Sequence, residues 1–163
     1  MADYKSYHIK SGNHSCVESK IAFSSYSQKI NFKFTPSCVY DEKLLVSTGW
    51  NKLWGFSAMF NHQNSLRIGW RCYTPTNQFY LCLYAYVNSN RIEIPVGNIK
   101  QALQECYAEL WWASNTYYVK IDGMTVSTPQ PNKPSSWLTF QQYPYFGGDG
   151  VAPYDMEILI KKL

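Results

Sequence analysis

The sequence predicts a single, nearly all-β domain built as a two-sheet antiparallel β-sandwich. Three observations predict it. Apolar and polar residues alternate with period two along most of the chain, turn signals separate short runs, and β-favouring aromatics reach 17% of residues, with 14 Tyr and 6 Trp. The 163 residues suit one core, and 45% apolar against 16% charged residues excludes a disordered chain.

Residues 1–20 are polar and lack clear alternation, so they read as an N-terminal arm or a first strand, with residues 21–163 as one sandwich domain. Ile30 to Phe34 alternates cleanly and Pro36 ends it. Trp50 to Phe56 reads as a strand. In the next one Leu66, Ile68, Trp70 and Cys72 face one way while Arg67, Gly69 and Arg71 face the other, and Thr74 to Asn77 is a turn. Phe79 to Val87 is the longest strand, with Phe79, Leu81, Leu83, Ala85 and Val87 on one face and Tyr80, Cys82, Tyr84 and Tyr86 on the other. Asn88-Ser89-Asn90 turns it back into Arg91 to Val96 as a hairpin. Glu105 to Trp112 reads as a strand, with a helical turn near Gln101-Ala102-Leu103 as the alternative. Asp122-Gly123 joins Tyr117–Ile121 to Met124–Val126 as a second hairpin, because both turn positions want φ > 0. Trp137 to Tyr143 and Met156 to Ile160 complete nine to eleven strands, a spacing that suits a sandwich or barrel and not a β-α repeat. The Pro-rich stretch 128–136 is too short to divide domains.

The net charge of +4 is spread thinly. Its one cluster is Lys161-Lys162, and Arg67, Arg71 and Arg91 do not make the basic stripe that nucleic acid requires. Cys16, Cys38, Cys72, Cys82 and Cys106 are odd in number and form no CxxC pair, so buried reduced thiols are expected. The N-terminus shows no apolar signal-peptide core, and no run approaches the ~20 apolar residues of a membrane span. A soluble protein made in a reducing cytoplasm is the expectation, with neither nucleic acid nor membrane as partner.

Two constellations could carry function. The first runs from Asn61 through Arg71. Here His62, Asn64, Arg67 and Arg71, with Tyr84 and Tyr86 on the same sheet face, combine fork-like donors with flat rings and suit sugar hydroxyls or carboxylates. The alternative is a polar face whose Arg stems cover aromatic rings. The second runs from Tyr143 to Asp155. Paired glycines relax the backbone there, and Asp149 and Asp155 are candidate ligands for a hard cation such as Ca²⁺. The alternative reading is that Asp149 tightens a turn and Asp155 pairs with an Arg.

An enzyme is not expected. A retaining glycosidase needs two carboxylates ~5 Å apart, and Glu93 and Glu157 have no acidic partner at i+2 or i+4. The best enzymic alternative is a polysaccharide lyase using His62 with a Tyr and an Arg. His8 and His14 offer no metal spacing, and no nucleophile elbow, P-loop or dinucleotide fingerprint appears.

Asn51 to Phe56, Asn64 to Arg71, Pro144 to Asp149 and Ala152 to Asp155 together resemble a set of small sandwich proteins. The set recurs in tailed phages of gut Bacteroidetes, crAss-like phages included, and in related bacterial genomes. The resemblance spans about residues 28–161. It implies a concanavalin A-like jelly roll and a virion structural protein, a capsid decoration or surface module, assembled in the host cytoplasm. It also implies other virion proteins as partners, cell-surface glycans as a second class of partner, and a possible homo-oligomer. A carbohydrate-binding module is the alternative. Two positions depart from the set, which tends to carry His where Asn61 and Tyr154 stand here, and this weakens any histidine-based metal site.

Overall fold

A computed structural model describes residues 3–41, 43, 49–58, 62–134 and 138–163, with the side chains of Asn98 and Ile99 outside that description. Eleven strands are described: β1 Lys5–Ile9, β2 Ser27–Phe34, β3 Asn51–Ser57, β4 Ser65–Tyr73, β5 Gln78–Val87, β6 Asn90–Gln101, β7 Cys106–Ala113, β8 Thr116–Ile121, β9 Met124–Pro129, β10 Phe140–Gln142 and β11 Met156–Lys162. They form two antiparallel sheets, ordered β1-β11-β2-β7-β8-β9 and β10-β3-β4-β5-β6. The chain changes sheet after β2, β6, β9 and β10, so the two layers form a jelly-roll sandwich around one core.

The alternation read from the sequence builds that core. Leu66, Ile68, Trp70 and Cys72 of β4 and Phe79, Leu81, Leu83 and Ala85 of β5 are all buried against the six-stranded sheet. Phe34 of β2 meets Phe79 at a ring-centroid distance of 4.4 Å and Trp70 at 4.8 Å, which locks the layers together. Each fully buried side chain of this size contributes about 1.5–3 kcal/mol. All five cysteines are buried and none is in a disulfide. Burial pushes the Cys38 and Cys106 thiols up to about 12.

Both expected hairpins are present. Asp122 and Gly123 have φ of 44° and 94°. The other turn holds two residues, not three. Asn88 and Ser89 take φ of 48° and 67°, so Val87 pairs with Asn90 and Tyr86 with Arg91. No helical turn forms at Gln101–Leu103. β6 runs through Gln101, and the chain then reverses with Leu103 at φ 63°, its N–H donating to the Phe34 carbonyl. In the N-terminal segment, Lys5–Ile9 pairs with β11 as an edge strand. β10 is shorter than expected, and Trp137 lies outside the described residues.

One irregularity positions the site. The register of β3 on β4 shifts between Lys52 and Trp54, where an extra residue bulges. A bulge reverses the side-chain parity of everything beyond it. Trp54 and Phe56 therefore enter the core, while Lys52 pairs with Gly69 and belongs to the opposite face.

Candidate functional site

The face of the five-stranded sheet turned away from the core carries the cross-strand rows Lys52–Gly69–Cys82, Gly55–Arg67–Tyr84–Glu93 and Ser57–Ser65–Tyr86–Arg91. Gly69 is required there. A Cβ at this position would sit 2.5 Å from the Cys82 sulfur and 3.3 Å from the Tyr84 Cβ, so only glycine lets Trp50, Cys82 and Tyr84 pack together. Two segments rise beside this face. Tyr145 bridges Lys52 through N–H···O bonds of 2.8 and 2.9 Å, and Ser15 of the N-terminal strap bridges Tyr145 in turn. His14 stacks on the Tyr145 ring with centroids 5.1 Å apart. Together they enclose a cleft of about 670 Å³, within the usual range for small-ligand sites.

The floor combines aromatic rings with cations. The Lys52 ammonium lies 4.9 Å from the Tyr84 ring centroid and 5.6 Å from that of Tyr145, and it donates to the Gly147 carbonyl at 2.9 Å. The Arg67 guanidinium is 5.9 Å from the same Tyr84 ring and donates to the Ser65 hydroxyl at 3.4 Å. Both side chains are deeply buried, each residue only 6% exposed. Burial, then the like charges of Arg67 and Arg91, lower the Lys52 ammonium from its ordinary value to about 8. Burial also lowers Arg67, and it raises the Tyr84 phenol, with Tyr86 adding to the rise. Arg91 pairs with Glu93 at 3.2 Å.

The loop after β10 is held by a buried polar hub. The Asn51 amide donates to the Tyr40 hydroxyl at 2.8 Å and accepts from the Gly147 N–H at 2.6 Å. Gly147 sits at φ 70°, and a Cβ there would fall 2.0 Å from the Gly150 carbonyl oxygen. The paired glycines thus shape the cleft wall and present one carbonyl to Lys52.

Of the residues singled out in the sequence, His62, Arg67, Tyr84, Tyr86 and Asp149 line this one cleft, with His62 edge-on to Tyr86 at 5.2 Å. Three are placed elsewhere. Asn64 does not line the cleft; its side-chain oxygen accepts from the Asn88 N–H at 3.0 Å and from Gln130 at 2.8 Å, which ties turns together. Arg71 leaves the cleft to lie 3.9 Å over the Trp50 ring, beside an apolar recess lined by Tyr73, Tyr80 and Pro95. Asp155 does not join Asp149. Its carboxylate takes the Lys10 ammonium at 2.7 Å and the Ser11 N–H at 2.9 Å, and the Lys10 bond holds it below the usual carboxylate range. Among the described residues no group of three or more His, Cys, Asp or Glu is placed to hold a metal ion. Asn61 lies outside the described residues.

Lys52, Trp50, Tyr145, Gln142 and Arg91 line the cleft and were not singled out. Arg91 was within reach of the sequence, because a two-residue turn at Asn88-Ser89 sets it opposite Tyr86. Lys52 was not, because strict alternation puts it on the Trp54 face.

No protein-family model matches the chain and no curated protein matches it. Among solved structures, a Bacillus licheniformis β-glucanase is similar at 14% identity with a TM-score of 0.37, over 98% of this chain and 66% of that one. This chain thus spans just under two thirds of that enzyme's length.

Proposed function

We propose that the protein is a carbohydrate-binding module whose cleft over the five-stranded sheet holds a glycan chain. One observation carries this reading: a cleft of about 670 Å³ whose floor and walls combine Trp50, Tyr84, Tyr86 and Tyr145 with Lys52, Arg67 and Gln142. Flat rings cover the C–H faces of sugars, and charged or amide donors take hydroxyls and ring substituents. A rigid sheet carrying these groups limits the ordering cost of binding. A virion-surface module, the setting implied by the resemblance, would use the same cleft to hold cell-surface glycans.

The test is a glycan array probed with the wild-type chain and with Tyr86→Ala, a half-buried cleft residue whose loss spares the core. Selective binding that the variant loses supports the reading. Binding undiminished in Tyr86→Ala and in Tyr145→Ala places the glycan elsewhere. Incubation of bound glycans with the chain, followed for new reducing ends and unsaturated sugars, checks the enzymic alternative.

A further inference from the structure

We infer that Lys52 and Arg67 form an oxyanion subsite on the cleft floor, so that the glycan is an acidic one bearing carboxylate or sulfate groups. This rests on the glycan reading above and names its ligand class.

The argument begins with how the fold treats its buried lysines. Lys100 is 3% exposed, and its ammonium pairs directly with Asp122. The exposed Lys10 and Lys29 and the half-buried Lys33 likewise meet Asp155, Glu109 and Glu105. Lys52 is as deeply buried, yet among the described residues no carboxylate lies within 4.0 Å of its ammonium. Its neighbours are neutral: one carbonyl and two phenol rings. An ammonium has three donors, and a buried charge without a counter-charge is costly.

The surroundings add to that cost. Arg67 of β4 and Arg91 of β6 both repel Lys52, and each outweighs the attraction of Glu93, whose carboxylate is already engaged by Arg91. The remaining groups facing Lys52 are Cys82 and Tyr84 of β5 and Tyr145 of the wall, with His62 and Asp149 on the same cleft lining. Cys82 and Tyr84 are both raised by burial and stay neutral. The floor is therefore a positive, partly dehydrated spot open to a ligand. A carboxylate or sulfate on a sugar supplies the missing counter-charge and accepts charge-assisted hydrogen bonds. Such an anion also returns Lys52 to full protonation, so binding above about pH 8 takes up a proton.

The experiment is isothermal titration calorimetry at pH 8.5 in two buffers of different ionisation enthalpy, on the wild type and Lys52→Met. The probes are matched pairs: oligogalacturonate and oligomannuronate with their carboxyl-reduced forms, and carrageenan oligosaccharide with its desulfated form. The expected result is that an acidic member binds at least about tenfold tighter than its neutral counterpart, the worth of one charge-assisted bond. Proton uptake accompanies it, and both are lost in Lys52→Met while weak neutral binding persists. Whether the uronate or the sulfated pair shows the preference identifies the anion. Equal binding of both members, or a preference and proton uptake unchanged in Lys52→Met, overturns the subsite and leaves the glycan reading intact. No binding by any member of any pair overturns both.

Discussion

The Lys52 ammonium donates to the Gly147 carbonyl across 2.9 Å, joining a bulged β-strand to a glycine loop almost a hundred residues later in the chain. This bond brings together the two functional constellations of the sequence. The polar strand face of β4 and β5 supplies the floor, the loop after β10 supplies the wall, and Lys52 stands between them.

Lys52 is expected to cost stability at neutral pH. Its folded ammonium titrates at about 8, below its ordinary value, so the folded chain binds fewer protons than the unfolded one in the window above pH 8. The penalty is present in full below pH 8 and fades as pH rises towards about 10.4, where the unfolded lysine also loses its proton. Lys52→Met should therefore be more stable than wild type by on the order of 1–2 kcal/mol at pH 7, after allowing for the lost bond to Gly147. Urea unfolding of both proteins at pH 7 and pH 10 checks this. The gap should narrow at the higher pH, and a gap that widens contradicts it.

Gly147→Ala is expected to destabilise the fold by about 2 kcal/mol or more, through strain at positive φ and a clash with the Gly150 carbonyl. Thermal unfolding gives the loss. Glycan retention should weaken at temperatures where the variant is still folded, because the carbonyl that anchors Lys52 moves.

Asn51→Ala removes one donor to the Tyr40 hydroxyl and the side-chain acceptor of the Gly147 N–H. The cost should be about 1–3 kcal/mol, since the buried Gly147 N–H loses its acceptor while the Tyr40 hydroxyl keeps the Cys72 N–H. Asn51→Asp restores the acceptor for Gly147 but not the donor to Tyr40, and its stability should fall between the two. A denaturation series over the three proteins tests the ordering.

Calcium is expected to have no effect on stability. The Asp155 carboxylate already binds the Lys10 ammonium and the Ser11 N–H, and a cation would have to displace both. The melting temperature should be the same in calcium and in chelator, and Asp155→Asn should leave it nearly unchanged because the pair is exposed. A calcium-dependent rise in the melting temperature would contradict this placement.

Much of this arrangement was legible in the residues, and what was not has identifiable causes. The alternation of Leu66–Cys72 and Phe79–Val87 assigns both faces correctly, because both strands are regular and pair without interruption over the stretch holding Arg67, Tyr84 and Tyr86. The same rule fails at Lys52, where one bulged residue moves it from the Trp54 face to the cleft. Arg71 shares a face with Arg67, but the sequence does not reveal that the Trp50 ring lies next to it and takes its guanidinium. Asn64 and Asp155 are polar residues in turns, and their partners, Gln130 and Lys10, come from segments far away in the chain. Local pattern sets strand faces; it does not say which loop folds over them.

The most direct test of the cleft is to titrate the chain with a glycan it retains and follow the tryptophan indole N–H signals by NMR. Trp50 lines the cleft, Trp54 and Trp70 are in the core, and Trp111 stacks on Tyr118 of the other sheet with centroids 4.9 Å apart. The expected result is a saturable shift of the Trp50 signal with Trp54, Trp70 and Trp111 unmoved. A shift of Trp111 with Trp50 unmoved would place the ligand on the Trp111–Tyr118 surface and contradict the cleft as the binding site.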